Sequence, residues 1–149
     1  MNRKIQLGLA AILLAGTAQA QELRGWNTHV PDYPVSIALD RFVELVEERT
    51  EGRVQMQNYH GATLGEGEFA TEQLQFGALD YGVFSTAPMV NTVKELGVTS
   101  LPYVFKDPEH QYRVMEGPIG ADIAAAMAEA NMVPLSWFAS GSRSFYANA

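Results

Sequence analysis

An α/β fold built on a parallel sheet is predicted by three observations. Strand-like and helix-like segments alternate along the chain, the helical segments carry apolar residues at spacings of three and four, and Gly, Pro and Asp punctuate their boundaries. In such a sheet the loops that leave the carboxyl ends of the strands face one crevice, where ligands bind.

The first strand runs from Leu23 to Asn27, and Val30-Pro31-Asp32-Tyr33-Pro34 is a turn whose second proline opens a helix. Val35, Ala38, Leu39, Phe42, Val43 and Val46 mark the apolar stripe of that helix, which Glu51-Gly52 closes. Val54 to Tyr59 alternates as a second strand and ends in His60-Gly61. Leu64-Gly65-Glu66-Gly67-Glu68 leads into a helix through Phe76, stopped by Gly77. Leu79 to Phe84 is the third strand, followed by a loop, Ser85-Thr86-Ala87-Pro88. Leu101 to Phe105 reads as an apolar extended segment, Pro108 starts a helix through Met115, and the alanine-rich stretch Ile119 to Ala130 is helical. Met132 to Phe138 reads as a fourth strand, with Leu135 and Phe138 in the core. Trp26 and Trp137 suit either the core or a cleft wall.

Composition narrows the function. Arg3 and Lys4, the apolar stretch Ile5 to Leu14 and the small-residue site Ala18-Gln19-Ala20 form a secretory leader over residues 1–20. Its apolar part is about ten residues, short of the roughly 20 that a membrane span needs, so the mature protein is expected to be periplasmic and not membrane-embedded. The 149-residue chain has no cysteine, hence no disulfide framework. Loss of the leader removes two of ten basic residues and none of seventeen acidic ones, leaving a formal charge of −9. That charge argues against nucleic acid as a partner. It also makes any anion site depend on a local cation.

Arg143 is such a cation. It sits in Trp137-Phe138-Ala139-Ser140-Gly141-Ser142-Arg143-Ser144-Phe145-Tyr146, where a guanidinium fork at a strand edge suits bidentate capture of a carboxylate. From spacing alone it equally suits a surface ion pair. Asn27 to Tyr33, Ser85 with Thr86, and Ser140 to Arg143 are the loops expected to share the crevice. His29 lies in the first of them, as a ligand contact or as an exposed loop histidine.

Other chemistries fit less well. Glu66 and Glu68 put negative charge where a phosphate would bind, so the Gly65/Gly67 pair reads as a helix start with acidic first-turn residues. His29, His60 and His110 lack metal-ligand spacing. Ala139-Ser140-Gly141-Ser142-Arg143 is not a nucleophile elbow and no base accompanies either serine. Neither a metal nor an organic cofactor is expected, and enzymatic activity is not.

The ordered set Leu39 to Val54, Leu64-Gly65, Glu72 to Asp80, Leu101 to Phe105 and Trp137 to Arg143 resembles the substrate-binding proteins of TRAP transporters, the tripartite ATP-independent periplasmic family. The resemblance implies a type II periplasmic binding fold of two lobes that close on an organic acid and deliver it to a membrane permease. It implies that Arg143 is a carboxylate-binding arginine, Asn27 a first-strand contact, and Ser85 and Thr86 contacts from the first lobe. His29 to Pro34 and Ser140 to Tyr146 are most similar to the branch that takes sugar acids such as uronates. In that branch His29 and Tyr33 would bond ligand hydroxyls.

Family members are considerably longer and carry a further Gly-Leu-Lys-x-Arg segment beyond the position of Arg143. The chain is therefore expected to be an N-terminal fragment: residues 21–138 as the first lobe and 139–149 as the start of the second. Alternatives from other classes are a periplasmic sensory domain that binds similar ligands and a non-functional truncated fragment.

Overall fold

The computed structural model describes residues 21–139 together with 141 and 147. The expected secretory leader, and the expected crevice residues Ser140, Ser142 and Arg143, lie outside the described residues.

Strands β1 (Gln21–Asn27), β2 (Val54–Tyr59) and β3 (Tyr81–Val83) form a three-stranded sheet in the order β2-β1-β3. Both pairings are parallel. Gln21 stands opposite Val54 and Trp26 opposite Tyr59 on one side, and Gly25 opposite Tyr81 and Asn27 opposite Val83 on the other. Parallel neighbours need a crossover connection, and the helices α1 (Pro34–Arg49) and α2 (Gly67–Gln75) supply it. Pro34 occupies the first turn of α1, where its missing N–H leaves no bond unmade. The chain reverses after α1 at Glu51 and Gly52, both in the left-handed region at φ 55° and 73°.

Beyond β3 the chain is helical: α3 (Thr86–Met89), a 3₁₀ helix over Lys94–Ser100, α4 (Pro108–Met115) and α5 (Pro118–Glu129). Asp107 caps α4 by accepting the His110 N–H at 2.7 Å. Two apolar clusters result. One joins Trp26, Ala70 and Leu79 between the sheet and α2. The other gathers Met89, Val93, Leu96, Met115, Ile123, Met127 and Met132 among the later helices. Leu74 and Phe84 pack against both clusters and make the core continuous.

Side chains alternate across the sheet. Trp26 points into the apolar cluster under α2, whereas Gly25 and Asn27 face α1. On that second side the filling is mostly polar, with Asn27 and Ser36 both fully buried.

Three sequence expectations change. Met132 to Phe138 forms no strand among the described residues. An extended apolar run becomes a strand only against a partner edge, and Pro134 lacks one of the donors a ladder needs. Leu135 and Phe138, expected in the core, are 78% and 53% exposed, and only Met132 and Trp137 turn inward. Leu101 to Phe105 is a turn, with Tyr103 at φ 60° and its ring exposed, leaving Phe105 alone to pack inward. Ser85 to Pro88 is the start of α3 instead of an open loop, because Ser85 is already extended and Thr86 opens a helical turn.

Gly120 decides how closely α5 approaches the end of α4: a Cβ there would sit 1.8 Å from the carbonyl oxygen of Met115. Backbone cannot yield as a flexible side chain can, so Gly120→Ala is expected to cost at least about 1–3 kcal/mol. Urea unfolding of the variant checks this; an unchanged midpoint would show that the two helices separate freely.

Candidate functional site

The crevice predicted at the carboxyl ends of the strands is present between β1, β3 and the start of α2. It is a cleft of about 140 Å³ lined by Trp26, Thr28, Glu66, Gly67, Phe84, Ser85 and Pro88. Its floor is rigid. Trp26 and Phe84 stack with ring centroids 4.8 Å apart, and the indole Nε1 donates to the Gly65 carbonyl at 2.9 Å. The polar residues of its lining are Thr28, Glu66 and Ser85. A volume of about 140 Å³ falls short of the roughly 300 Å³ at which small-molecule pockets begin, so the cleft by itself does not enclose such a ligand. An open depression of about 260 Å³, lined by Thr92, Val93, Lys94, Glu95, Ala126, Glu129 and Ala130, is larger but belongs to the helical side of the molecule.

The sequence-predicted residues take distinct places. Ser85 is in the cleft and exposed. Thr86, its neighbour, is turned to the 3₁₀ helix, where its hydroxyl accepts from Thr99 Oγ1 at 2.9 Å. His29 and Tyr33 come together in the loop after β1, rings stacked at 4.1 Å and 23°. Asn27 is fully buried and its amide is committed: Oδ1 accepts the His29 N–H at 3.1 Å, and Nδ2 donates to Ser36 Oγ at 2.6 Å and approaches His60 Nδ1 at 3.4 Å.

Thr28, Phe84 and Pro88 were not singled out from the sequence as site residues, though the strand-end rule already placed Thr28 in the crevice loop. Glu66 and Gly67 read there as a helix start, which they are. The structure adds that this helix start opens onto the cleft. No basic side chain lines the cleft among the described residues, and no group of three or more His, Asp or Glu among them is placed to hold a metal ion.

A hydrogen-bonded chain lies behind the loop. Asp40 Oδ1 accepts from Asn58 Nδ2 at 2.6 Å and lies 2.9 Å from His60 Nε2, while the Tyr81 hydroxyl donates to Asn58 Oδ1 at 2.8 Å. Residues from α1, from each strand and from the turn after β2 thus share one network. Among the described residues no buried side-chain nitrogen or oxygen lacks a partner. Burial, then the nearby charges of Asp40, Asp80 and Glu47, pushes the Tyr81 phenol well above its ordinary range.

A family model described as DctP, bacterial extracellular solute-binding protein, family 7, matches residues 27–149. The chain belongs to this family. A solute-binding protein of Chromohalobacter salexigens is 48% identical over 138 residues, which cover 93% of this chain and 41% of that protein. The 2,3-diketo-L-gulonate-binding periplasmic protein of Escherichia coli is 26% identical over 137 residues, 91% of this chain and 41% of that protein. Among solved structures, a TRAP periplasmic solute-binding protein of Chromohalobacter salexigens with bound D-glucuronate is 48% identical, with a TM-score of 0.76 over 78% of this chain and 38% of that one. One from Roseobacter denitrificans with bound β-D-glucuronate is 44% identical, with a TM-score of 0.77 over 79% of this chain and 39% of that one. The chain therefore spans about two fifths of the length of these relatives, and the fold expected from its sequence, a parallel-sheet α/β unit of the periplasmic binding type, is the fold it shares with them.

The raised Tyr81 phenol has a pH consequence. Unfolded, it loses its proton at about pH 10; folded, it keeps the proton to higher pH, so above that point the native state binds more protons and stability falls as pH rises. Tyr81→Phe is expected to flatten this alkaline decline. At neutral pH it should cost about 1 kcal/mol, through the donor lost to Asn58. Urea midpoints measured from neutral to strongly alkaline pH in both proteins check both effects.

Proposed function

We propose that this chain is part of a periplasmic receptor that captures a sugar acid of the uronate class and delivers it to a TRAP-type membrane permease, without catalysing a reaction. The observation that carries this reading is the cleft at the strand ends of a chain 43–48% identical, where they align, to solute-binding proteins holding glucuronate or galacturonate. Relatives named as periplasmic support the compartment, and no helix among the described residues is long and apolar enough to cross a membrane.

The chemistry of the cleft fits a polyhydroxylated ring better than a small dicarboxylate. Phe84 and Pro88 offer apolar surface over the buried Trp26, and Thr28, Ser85 and Glu66 offer groups that bond hydroxyls. Glu66 repels the ligand's carboxylate and so orients it away from this wall. Arg143 would meet it there, and bidentate geometry would make that bond the strongest in the site. His29 and Tyr33 would add contacts from the loop after β1, with Asn27 behind them holding the His29 backbone and Thr86, bonded to Thr99, next to Ser85 in the chain. Residues 21–138 are proposed as the first lobe and 139–149 as the start of the second. With one wall, water screens an arginine–carboxylate pair to about 0–1 kcal/mol, so capture would depend on enclosure by both lobes.

Chemical-shift mapping detects weak binding and tests the reading. D-glucuronate is expected to move the Trp26 indole, Thr28 and Ser85 resonances, whereas D-glucose leaves them in place. In the complete two-lobed protein, where closure excludes water from the pair, Arg143→Lys should weaken uronate binding by about tenfold through loss of the planar fork. Uronate-independent spectra in this region would overturn the assignment.

A further inference from the structure

The protons of the network behind the crevice loop are fixed by a group that can only donate, the backbone N–H of His29. It meets Asn27 Oδ1 at 3.1 Å, so the other arm of that amide is Nδ2, which carries two hydrogens. One goes to Ser36 Oγ at 2.6 Å and the other points toward His60 Nδ1 at 3.4 Å, the longest contact of the set. Nδ1 is then an acceptor, and the ring proton of a neutral His60 is on Nε2. That nitrogen faces Asp40 Oδ1 at 2.9 Å, and a carboxylate only accepts. Both ends of the imidazole require the same tautomer.

We propose that His60, as the neutral Nε2–H tautomer held by Asp40, is the positioning residue for the His29–Tyr33 loop, because it orients the Asn27 amide that fixes the His29 backbone. The inference rests on the receptor reading only for the purpose of that loop; the positioning itself needs no ligand. His29 is held at its carbonyl as well, by the Gly61 N–H at 2.8 Å and by Ser36 Oγ at 3.4 Å. Ser36 is the same residue that accepts from Asn27, so two of these three contacts on the His29 backbone lead back to this amide, and the Gly61 N–H is the third.

Protonation of His60 sets two donors, Nδ1–H and Asn27 Nδ2–H, against each other. Asn27 cannot escape by turning over, since Nδ2 would then confront the His29 N–H. The titratable groups around His60 are Asp40 on α1, Tyr81, which acts through Asn58 on the same Asp40 oxygen, and His29 in the loop itself. The imidazole is 12% exposed and the Asp40 side chain 47%, so the proton has a route to solvent through the carboxylate.

Nitrogen-15 NMR of the full chain tests this. His60 is expected to show the Nε2–H tautomer at neutral pH, and on acidification the His29 backbone amide should move with the protonation of His60 and not with that of His29 or His110. His60→Asn, whose side-chain oxygen can take the place of Nδ1, should leave the His29 amide near its position. His60→Gln reaches Asp40 but leaves the place of Nδ1 empty, and should displace it. An Nδ1–H tautomer, or a His29 amide indifferent to His60, overturns the inference.

D-glucuronate added to the same samples separates the two readings. If uronate shifts nothing while the His29 amide still follows His60, the receptor reading fails and the positioning role stands. If uronate binds, His60→Gln should weaken it about tenfold more than His60→Asn does, and equal affinities of the two variants would overturn the link to the ligand loop.

Discussion

The polar contacts that tie α1 to the strand ends converge on one carboxylate. Asp40 gathers Asn58 from β2 and His60 from the following turn, and through Asn58 it reaches Tyr81 on β3. His60 extends the chain to Asn27 at the end of β1 and from there to Ser36, one turn upstream of Asp40 on α1. A helix packed by apolar contacts alone could slide or rotate by small steps, since such contacts are not directional. Hydrogen bonds at this density leave one register, because each buried polar group left without a partner costs more than a well-made bond contributes.

The opposite face of the sheet is governed by packing. Trp26 enters the apolar cluster from β1, stacks on Phe84 and still satisfies its indole N–H at Gly65, so the residue that fills the core also floors the cleft. The two readings of this tryptophan, core residue or cleft wall, describe the same side chain from two sides. Its neighbour in sequence, Asn27, points to the other face, and strand alternation thus divides one dipeptide between an apolar floor and a polar frame.

Electrostatics gives the cleft a polarity. The protein carries far more acidic than basic residues, and Glu66 brings one of them to the lining of the cleft. An acidic wall is compatible with a sugar acid only when its hydroxyls face that wall and its carboxylate faces a cation elsewhere. An arginine supplied from across a cleft meets that requirement, and closure strengthens the pair by removing water from around it. The proposed sugar-acid reading is compatible with this charge placement.

The sequence by itself determined the order and type of nearly every element through β3 and again for α4 and α5. Periodicity, prolines at helix starts and glycines at helix ends are local signals, and they act within a few residues. It also determined that the loops after Asn27 and Phe84 would lie together, because parallel connection places all carboxyl ends on one edge. Only the tertiary structure decided that Met132 to Phe138 does not pair, since a strand needs an edge that local sequence does not specify. The division of labour within the site was likewise invisible in one dimension. Ser85 reaches the cleft and Thr86 turns to Thr99; Asn27 serves the frame, and His60, outside every predicted site, holds Asn27. Those outcomes depend on hydrogen bonds between residues that only the folded sheet and helices bring together, and no local signal specifies such pairs.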